Sequence, residues 1–283
     1  MSSPTAQPHF QQKSSKILPV IILILLGLLY FNTVRWLVGS WIYNPYFSHG
    51  FIVLAVSAYF AYKVCKKTSF ELEVDVRGLY VLAPSLIVHT LATVWDIVCI
   101  SAVSLLTAVY GLILTLYGVR AAKQMTFPIF FMILAVPFPI YGLTNQLEVL
   151  SAQASVSLVS FFGIEASNVG AEIHLKTCSF VVGAPCSGIR SIISLLTVAV
   201  LYVYIVQDEL WVKFVLVALA TFLAFFANVL RISSILAIAE LYGRDAALGY
   251  FHYASDLVLF VTAVVTLILL RRCLKWLISR PHS

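Results

Sequence analysis

Three ionisable residues of this chain stand where chemistry is available to them: Cys186, Arg231 and His252. Cys186 lies in Gly183-Ala184-Pro185-Cys186-Ser187-Gly188-Ile189-Arg190, where a loop turns into a long apolar run. A helix N-terminus stabilises a thiolate, and Arg190, one turn on, adds to that field. A thiolate is a nucleophile, and a histidine can activate it and then protonate a leaving amine. An arginine can stabilise the oxyanion between those steps, more strongly in a water-poor site than in water. Asn228 and Ser234 fall one turn either side of Arg231 and are spaced to orient it, as Asp256 is spaced to steer His252. Each residue also has a plainer reading. Cys186 can be a packed helix-start cysteine, and Arg231 can snorkel or pair with Glu240 or Asp256. His252 can be an interface histidine in the aromatic belt of Tyr242, Tyr250, Phe251 and Tyr253.

The elements that must position these residues follow from composition. Hydrophobic residues make up 61% of the 283 and charged residues 11%, with a mean hydropathy of +0.98, which excludes an ordinary soluble domain. A membrane span needs about 20 predominantly apolar residues. By that measure the chain reads as an all-α polytopic membrane protein with about eight transmembrane helices. They are expected near Ile17–Val34, Phe47–Tyr62, Gly78–Trp95, Val98–Val119, Phe127–Tyr141, Ser187–Val206, Lys213–Leu241 and Ala254–Leu270. Residues 1–16 are polar and expected to be a disordered cytoplasmic N-terminus, and 17–280 a single transmembrane domain. The first apolar run is longer than a signal-peptide core and reads as an uncleaved span.

The net charge of +6 is a topology signal and gives no reason to expect nucleic acid. Lys13 and Lys16, then Lys63, Lys66, Lys67 and Arg77, then Arg120 and Lys123 fall on alternate loops. Lys213 and the tail Arg271, Arg272, Lys275 and Arg280 continue the pattern. Those loops and both termini are expected in the cytoplasm.

Helical rise then tests the three residues. Arg231 lies eighteen residues beyond Lys213, or roughly 27 Å, near the outer edge of a hydrocarbon core about 30 Å thick. His252 lies nineteen residues before Arg271, roughly 28 Å. Cys186 lies twenty-two residues before Asp208, roughly 33 Å. Three successive helices therefore bring cysteine, arginine and histidine to one level at the extracytoplasmic face.

An extracytoplasmic insert is expected over about 143–186. Pro137 and Pro139 interrupt span five. Leu143–Phe162 then reads as an amphipathic interfacial helix with Gln146, Glu148, Ser151 and Ser155 on one face. From Gly163 to Ala184 the period changes to two: Glu172, His174 and Lys176 alternate with Ile173, Leu175 and Thr177. A small β-hairpin-like loop with its turn at Gly170 is expected, delivering the chain to Cys186 before the sixth span.

Five cysteines with no CxxC pair give neither a disulfide framework nor a zinc site, and no metal or cofactor is expected. Cys65, Cys99 and Cys273 read as inert. Cys178 is a competitor: a disulfide to Cys186 would abolish the nucleophile, and His174, Cys178 and Cys186 could bind a metal, though at no usual ligand spacing. His49, in the turn Tyr43–Gly50 before span two, is a second base, a substrate contact or a helix-start residue. His89 reads as packing within its span.

Taken together, these motifs resemble the exosortase/archaeosortase family of prokaryotic membrane transpeptidases. The resemblance runs from about Asn44 onward. It rests on Pro185-Cys186-Ser187-Gly188-Ile189-Arg190-Ser191, Asn228-Val229-Leu230-Arg231-Ile232 and Gly249-Tyr250-Phe251-His252-Tyr253, with Ser48-His49-Gly50 in support. It implies a catalytic Cys186, Arg231 and His252, with Ser187, Arg190, Asn228, His49 and Asp256 as supporting or substrate-binding candidates. It implies substrates too: secreted proteins with a C-terminal tail of short motif, apolar helix and basic cluster, of the PEP-CTERM kind. The tail would be cut through a thioester and passed to an unknown acceptor nucleophile. The rival readings are a transporter whose path is lined by Arg231, Asp256 and Glu240, for which Cys186 would be dispensable, and a non-catalytic membrane anchor.

Overall fold

The computed structural model describes residues 11–278 apart from 69, 140, 184–187 and 207; residues 11–18, 141, 248, 250–254, 256, 277 and 278 enter by backbone alone. The chain divides into two compact units, Met1–Phe138 and Pro139–Ser283. Among the described residues, five helices are long and apolar enough to cross a membrane, or six if one bent pair is a single span. It is a helical membrane protein with one small sheet.

In the first unit α1 (Gln11–Leu29) and α2 (Phe31–Tyr43) are that bent pair, turned by 66° at Tyr30. The run expected to continue to Val34 therefore breaks four residues earlier. Tyr30 is fully buried, its hydroxyl 3.1 Å from Ser104 Oγ, and this tertiary anchor sets the corner. The helices α3 (Gly50–Lys67) and α4 (Leu79–Val94) follow, then α5 (Val98–Phe131), which runs through the positions expected for two spans.

Local geometry separates those two spans again. Gly118 has φ +73° and ψ 178°, outside any helix, so α5 is two arms meeting at a break. The first arm is antiparallel to α4: Thr107 Oγ1 lies 2.8 Å from Ser85 Oγ, while Ser101 Oγ lies 2.8 Å from His89 Nδ1. The second is antiparallel to α3, with Thr68 bonded to Gln124 at one end and His49 Nε2 3.0 Å from the Leu134 carbonyl at the other. Both arms meet the segment joining α3 to α4 at the break, so the chain reverses at Gly118. A helix that stops there leaves carbonyls without N–H donors of its own. Glu73 and Asp75 donate their N–H groups to the Leu116 and Thr115 carbonyls, each at 2.9 Å.

His89 is buried as the sequence suggests, and its neighbours explain how a polar ring is accommodated there. It stacks on Tyr30 at 3.9 Å, and Ser101, which it meets, also bonds Thr33 at 2.6 Å. Buried polar groups at such depth need each other.

The second unit holds α6 (Tyr141–Phe161), a three-stranded sheet, α7 (Ile189–Val206), α8 (Leu210–Tyr242), the short α9 (Arg244–Leu248) and α10 (Tyr250–Ile278). The sheet is β1 (Ala166–Val169), β2 (Glu172–Leu175) and β3 (Ser179–Val181), all antiparallel with β2 central. The hairpin turn is at Gly170, as expected: it joins β1 to β2, and β3 pairs with the other edge of β2. Ala166–Val169 carries too little apolar alternation to be read as a strand; pairing with β2 makes it one.

Two apolar clusters stack along α8. The lower joins Leu195, Ala199 and Val203 of α7 to Val212, Leu216, Ala220 and Ala224 of α8 and Ala263 and Leu267 of α10. The upper joins Ala152 and Val159 of α6, Ile173 and Leu175 of β2, and Val182 to Ile232, Ile235, Leu236 and Ala239. The 33 residues of α8 extend roughly 50 Å, well beyond a hydrocarbon core of about 30 Å, so its last turns serve the upper cluster.

At the far end of the lower cluster an ion triad ties the α7–α8 turn to α10. Asp208, its side chain 2% exposed, accepts from Arg271 Nε at 2.5 Å and Nη2 at 3.1 Å and pairs with Lys275 at 2.5 Å. The Arg271 hydrogen bonds first, then that of Lys275, hold the Asp208 carboxyl at about 2, below its usual 3.8. A carboxylate depressed in the folded state adds stability that is complete above 3.8 and is lost as pH falls toward 2. Asp208→Asn should therefore cost about 1–2 kcal/mol at pH 7 and almost nothing near pH 2. Thermal unfolding of both forms in detergent at the two pH values checks this; an undiminished gap at low pH would contradict it.

Candidate functional site

Arg231 marks the boundary between the two clusters. It is 4% exposed, and it follows by one turn Asn228, which is 2% exposed. Both border a cavity of about 10 Å³, the room of one water molecule. The other walls are Ser191 and Leu195 of α7, Ala224 and Ala227 of α8, and Leu259, Phe260 and Ala263 of α10. Alanines on α8 and α10 let three helices approach closely here, and the polar groups gather at the upper end.

The register of the three helices follows from these neighbours. Ser191 faces Asn228, while Leu259 and Phe260 share the cavity with Arg231. Since α7 and α10 both run opposite to α8, the start of α7 and the early turns of α10 meet α8 near Arg231. The most direct contact is at Gly188. A β-carbon there would lie 2.8 Å from Asn228 Nδ2 and 2.9 Å from its Cγ, and the backbone has φ +80°. Glycine is therefore required twice, for the turn into α7 and for the approach of Asn228.

Cys186 and Ser187 lie outside the described residues. His252 and Asp256 belong to the first two turns of α10, where the backbone alone is described. Arg190 is in the first turn of α7 and exposed. The structure thus brings Gly188, two residues after Cys186, against Asn228, with Arg231 one turn farther along α8. His49 belongs to the first unit, where its Nε2 meets the Leu134 carbonyl at the head of α3; beside it Trp41 Nε1 donates to the Ala135 carbonyl at 2.8 Å.

Two expectations about neighbours are corrected. Ser234 donates to the Leu230 carbonyl of its own helix at 2.7 Å, the ordinary escape of a helical serine, and so does not orient Arg231. Glu240, proposed as a partner of Arg231, instead accepts from Thr177 at 3.3 Å, more than two turns farther along α8. Cys178 is a free thiol packed against the upper cluster. His174 Nδ1 is 2.9 Å from Ser179 Oγ across the sheet.

Reading residue types along the chain underrates α6. Its Ser151 and Ser155 are both fully buried against α8. Ser155 donates to the Val229 carbonyl at 3.3 Å, and Ser151 Oγ accepts from Asn228 Nδ2 at 3.3 Å. Their spacing of four residues was the available signal, but it does not say which helix they meet. Gln146 of the same helix is exposed. Burial raises the Glu148 carboxyl above its ordinary range.

The helical membrane scaffold and this polar junction define a class of membrane-embedded protein with its site at a helix-bundle end. The family model for the transmembrane exosortase, EpsH type, matches residues 41–269, and the chain belongs to that family. No curated protein and no solved structure matches it.

Gly188→Ala tests the junction. The substitution should destabilise the protein by about 1–3 kcal/mol through left-handed strain and overlap with Asn228. Adding Asn228→Ala should recover only the overlap. Thermal midpoints of the three forms measure this, and a wild-type midpoint for Gly188→Ala would contradict the contact.

Proposed function

We propose that this exosortase-family protein is a cysteine transpeptidase of membrane-tethered protein tails. The observation that carries the proposal is the junction at Gly188, two residues after Cys186, which meets Asn228 one turn before the buried Arg231. Helical spacing supports the third member: position 252 is seven residues, two turns, above Leu259, which lines the cavity with Arg231.

Cys186, as thiolate, attacks the scissile carbonyl carbon, and the oxyanion that forms is stabilised by Arg231. Collapse breaks the C–N bond, and His252 gives its proton to the leaving amine, leaving a thioester. An acceptor nucleophile then attacks the thioester and yields its proton to His252, and the thiolate departs. If water is the acceptor, the result is hydrolysis by the same residues. Ser187, Arg190 and Asp256 are supporting groups in this reading, with Arg190 reinforcing the field at the thiolate. His49 serves at the head of α3, where its contacts are with backbone.

The substrates are secreted proteins whose C-terminal tails carry a short motif, an apolar helix and a basic cluster. Such a motif would stand just outside the bilayer, level with Arg231. The reversal at Gly118 supports eight crossings: α1, α3, α4, the two arms of α5, α7, α8 and α10. In that arrangement the basic clusters at Lys63–Arg77, Arg120–Lys123 and Arg271–Lys275 fall on one side, the cytoplasm, with both termini. The active site and the 143–186 insert lie on the other side of the inner membrane. A transport path past Arg231, Asp256 and Glu240 finds no support in a cavity that admits about one water.

Replacing Cys186 by alanine or serine in cells making a tagged tail-bearing protein should abolish its processing. Arg231→Lys, which keeps charge but loses the planar fork, should slow it about 10²–10³-fold. His252→Ala should slow it about 10²–10⁴-fold. Normal processing without Cys186 would sink the enzyme reading.

A further inference from the structure

We infer that Ser151 is a positioning residue for the Cys186 loop, acting through Asn228. This rests on the reading of Cys186 as the nucleophile, but its geometry lies wholly in described residues. Ser151 is fully buried on α6, and Asn228 is 2% exposed on α8. Asn228 Nδ2 donates to Ser151 Oγ at 3.3 Å. The same amide closes on Gly188, whose β-carbon, were there one, would fall 2.8 Å from Nδ2, 2.9 Å from Cγ and 3.1 Å from Cβ of Asn228. Gly188 is two residues from Cys186 along the chain.

The physical argument concerns rotamers. An asparagine on a helix has alternative χ1 wells and a broad χ2, so its amide can point several ways. The bond to Ser151 favours the rotamer that stands against Gly188. The helix α6 thereby becomes a strut: its contact with α8 holds the amide, and the amide holds the turn at Gly188 that opens α7, two residues from Cys186 in the chain. A misplacement of about 1 Å at a reacting centre costs on the order of 10²-fold in rate, so a strut of this kind has catalytic consequences without touching substrate.

Ser155 provides the control. It lies one turn along the same helix, is equally buried, and bonds α8 through the Val229 carbonyl, with no contact to Asn228. Losing its hydroxyl removes a comparable helix–helix bond and leaves the amide in place.

The experiment measures alkylation of Cys186 by a membrane-impermeant maleimide across pH 5–9 in the full-length protein in membranes, quantified on the Cys186 peptide by mass spectrometry. Tail processing is followed in parallel. Ser151→Ala and Asn228→Ala should each shift the pH profile of Cys186 alkylation and slow processing about ten- to hundredfold. The double variant should match Asn228→Ala alone, because the two act in series. Ser155→Ala should leave the profile at wild type, though it lowers the thermal midpoint about as much as Ser151→Ala does. A wild-type profile in Ser151→Ala, or independent multiplying effects in the double variant, would overturn the proposal. So would a shift in Ser155→Ala equal to that in Ser151→Ala, since the effect would then be general loosening of α6. Failure of the nucleophile reading is separate: it shows as normal processing in Cys186→Ala, whatever the alkylation profiles do.

Discussion

A guanidinium buried between two apolar clusters on one unbroken helix is the constraint around which the second unit is organised. An arginine stays charged at any physiological pH, and removing that charge from water is costly unless polar groups surround it. Arg231 is 4% exposed, so its neighbours must be polar at one level and apolar just below and above. Asn228 precedes it by a turn, Ser191 comes from α7, and α6 brings Ser151 against Asn228. Beneath that level the packing of α7, α8 and α10 is made by buried leucine, valine and alanine, with Ile192 and Phe260 packed against them.

The length of α8 follows from the same constraint. Helices sized only to a bilayer would end near Arg231, leaving the guanidinium at a frayed terminus. Here α8 continues to Tyr242, and its last turns present Ile232, Ile235, Leu236 and Ala239 to α6 and the sheet. That upper cluster closes over the arginine level and gives the 143–186 insert a core of its own.

In the first unit the corresponding device is hydrogen bonding in place of charge. Tyr30, Thr33, His89, Ser101 and Ser104 satisfy one another where α1 ends and α4 and α5 approach. The reversal at Gly118 depends on backbone freedom, because φ +73° is costly for a residue with a β-carbon. Glu73 and Asp75 complete it by taking up the carbonyls that the interrupted helix leaves behind.

The sequence by itself determined that this is a helical membrane protein, where most helices begin and end, and which polar residues merit suspicion, because hydropathy and helical rise are properties of consecutive residues. It also showed the family, through motifs that are contiguous in the chain. It carried the distance of Arg231 from Lys213 along α8, since rise along one helix is fixed. Only the tertiary structure decided that the apolar run after Ile17 bends at Tyr30, that Ala166–Val169 is a strand, that Ser234 turns back to its own helix, and that Ser151 meets Asn228. Each of these is a choice among partners that local sequence leaves equally open. A buried tyrosine, a neighbouring strand or a facing helix supplies the free-energy difference, and none of them is near in sequence.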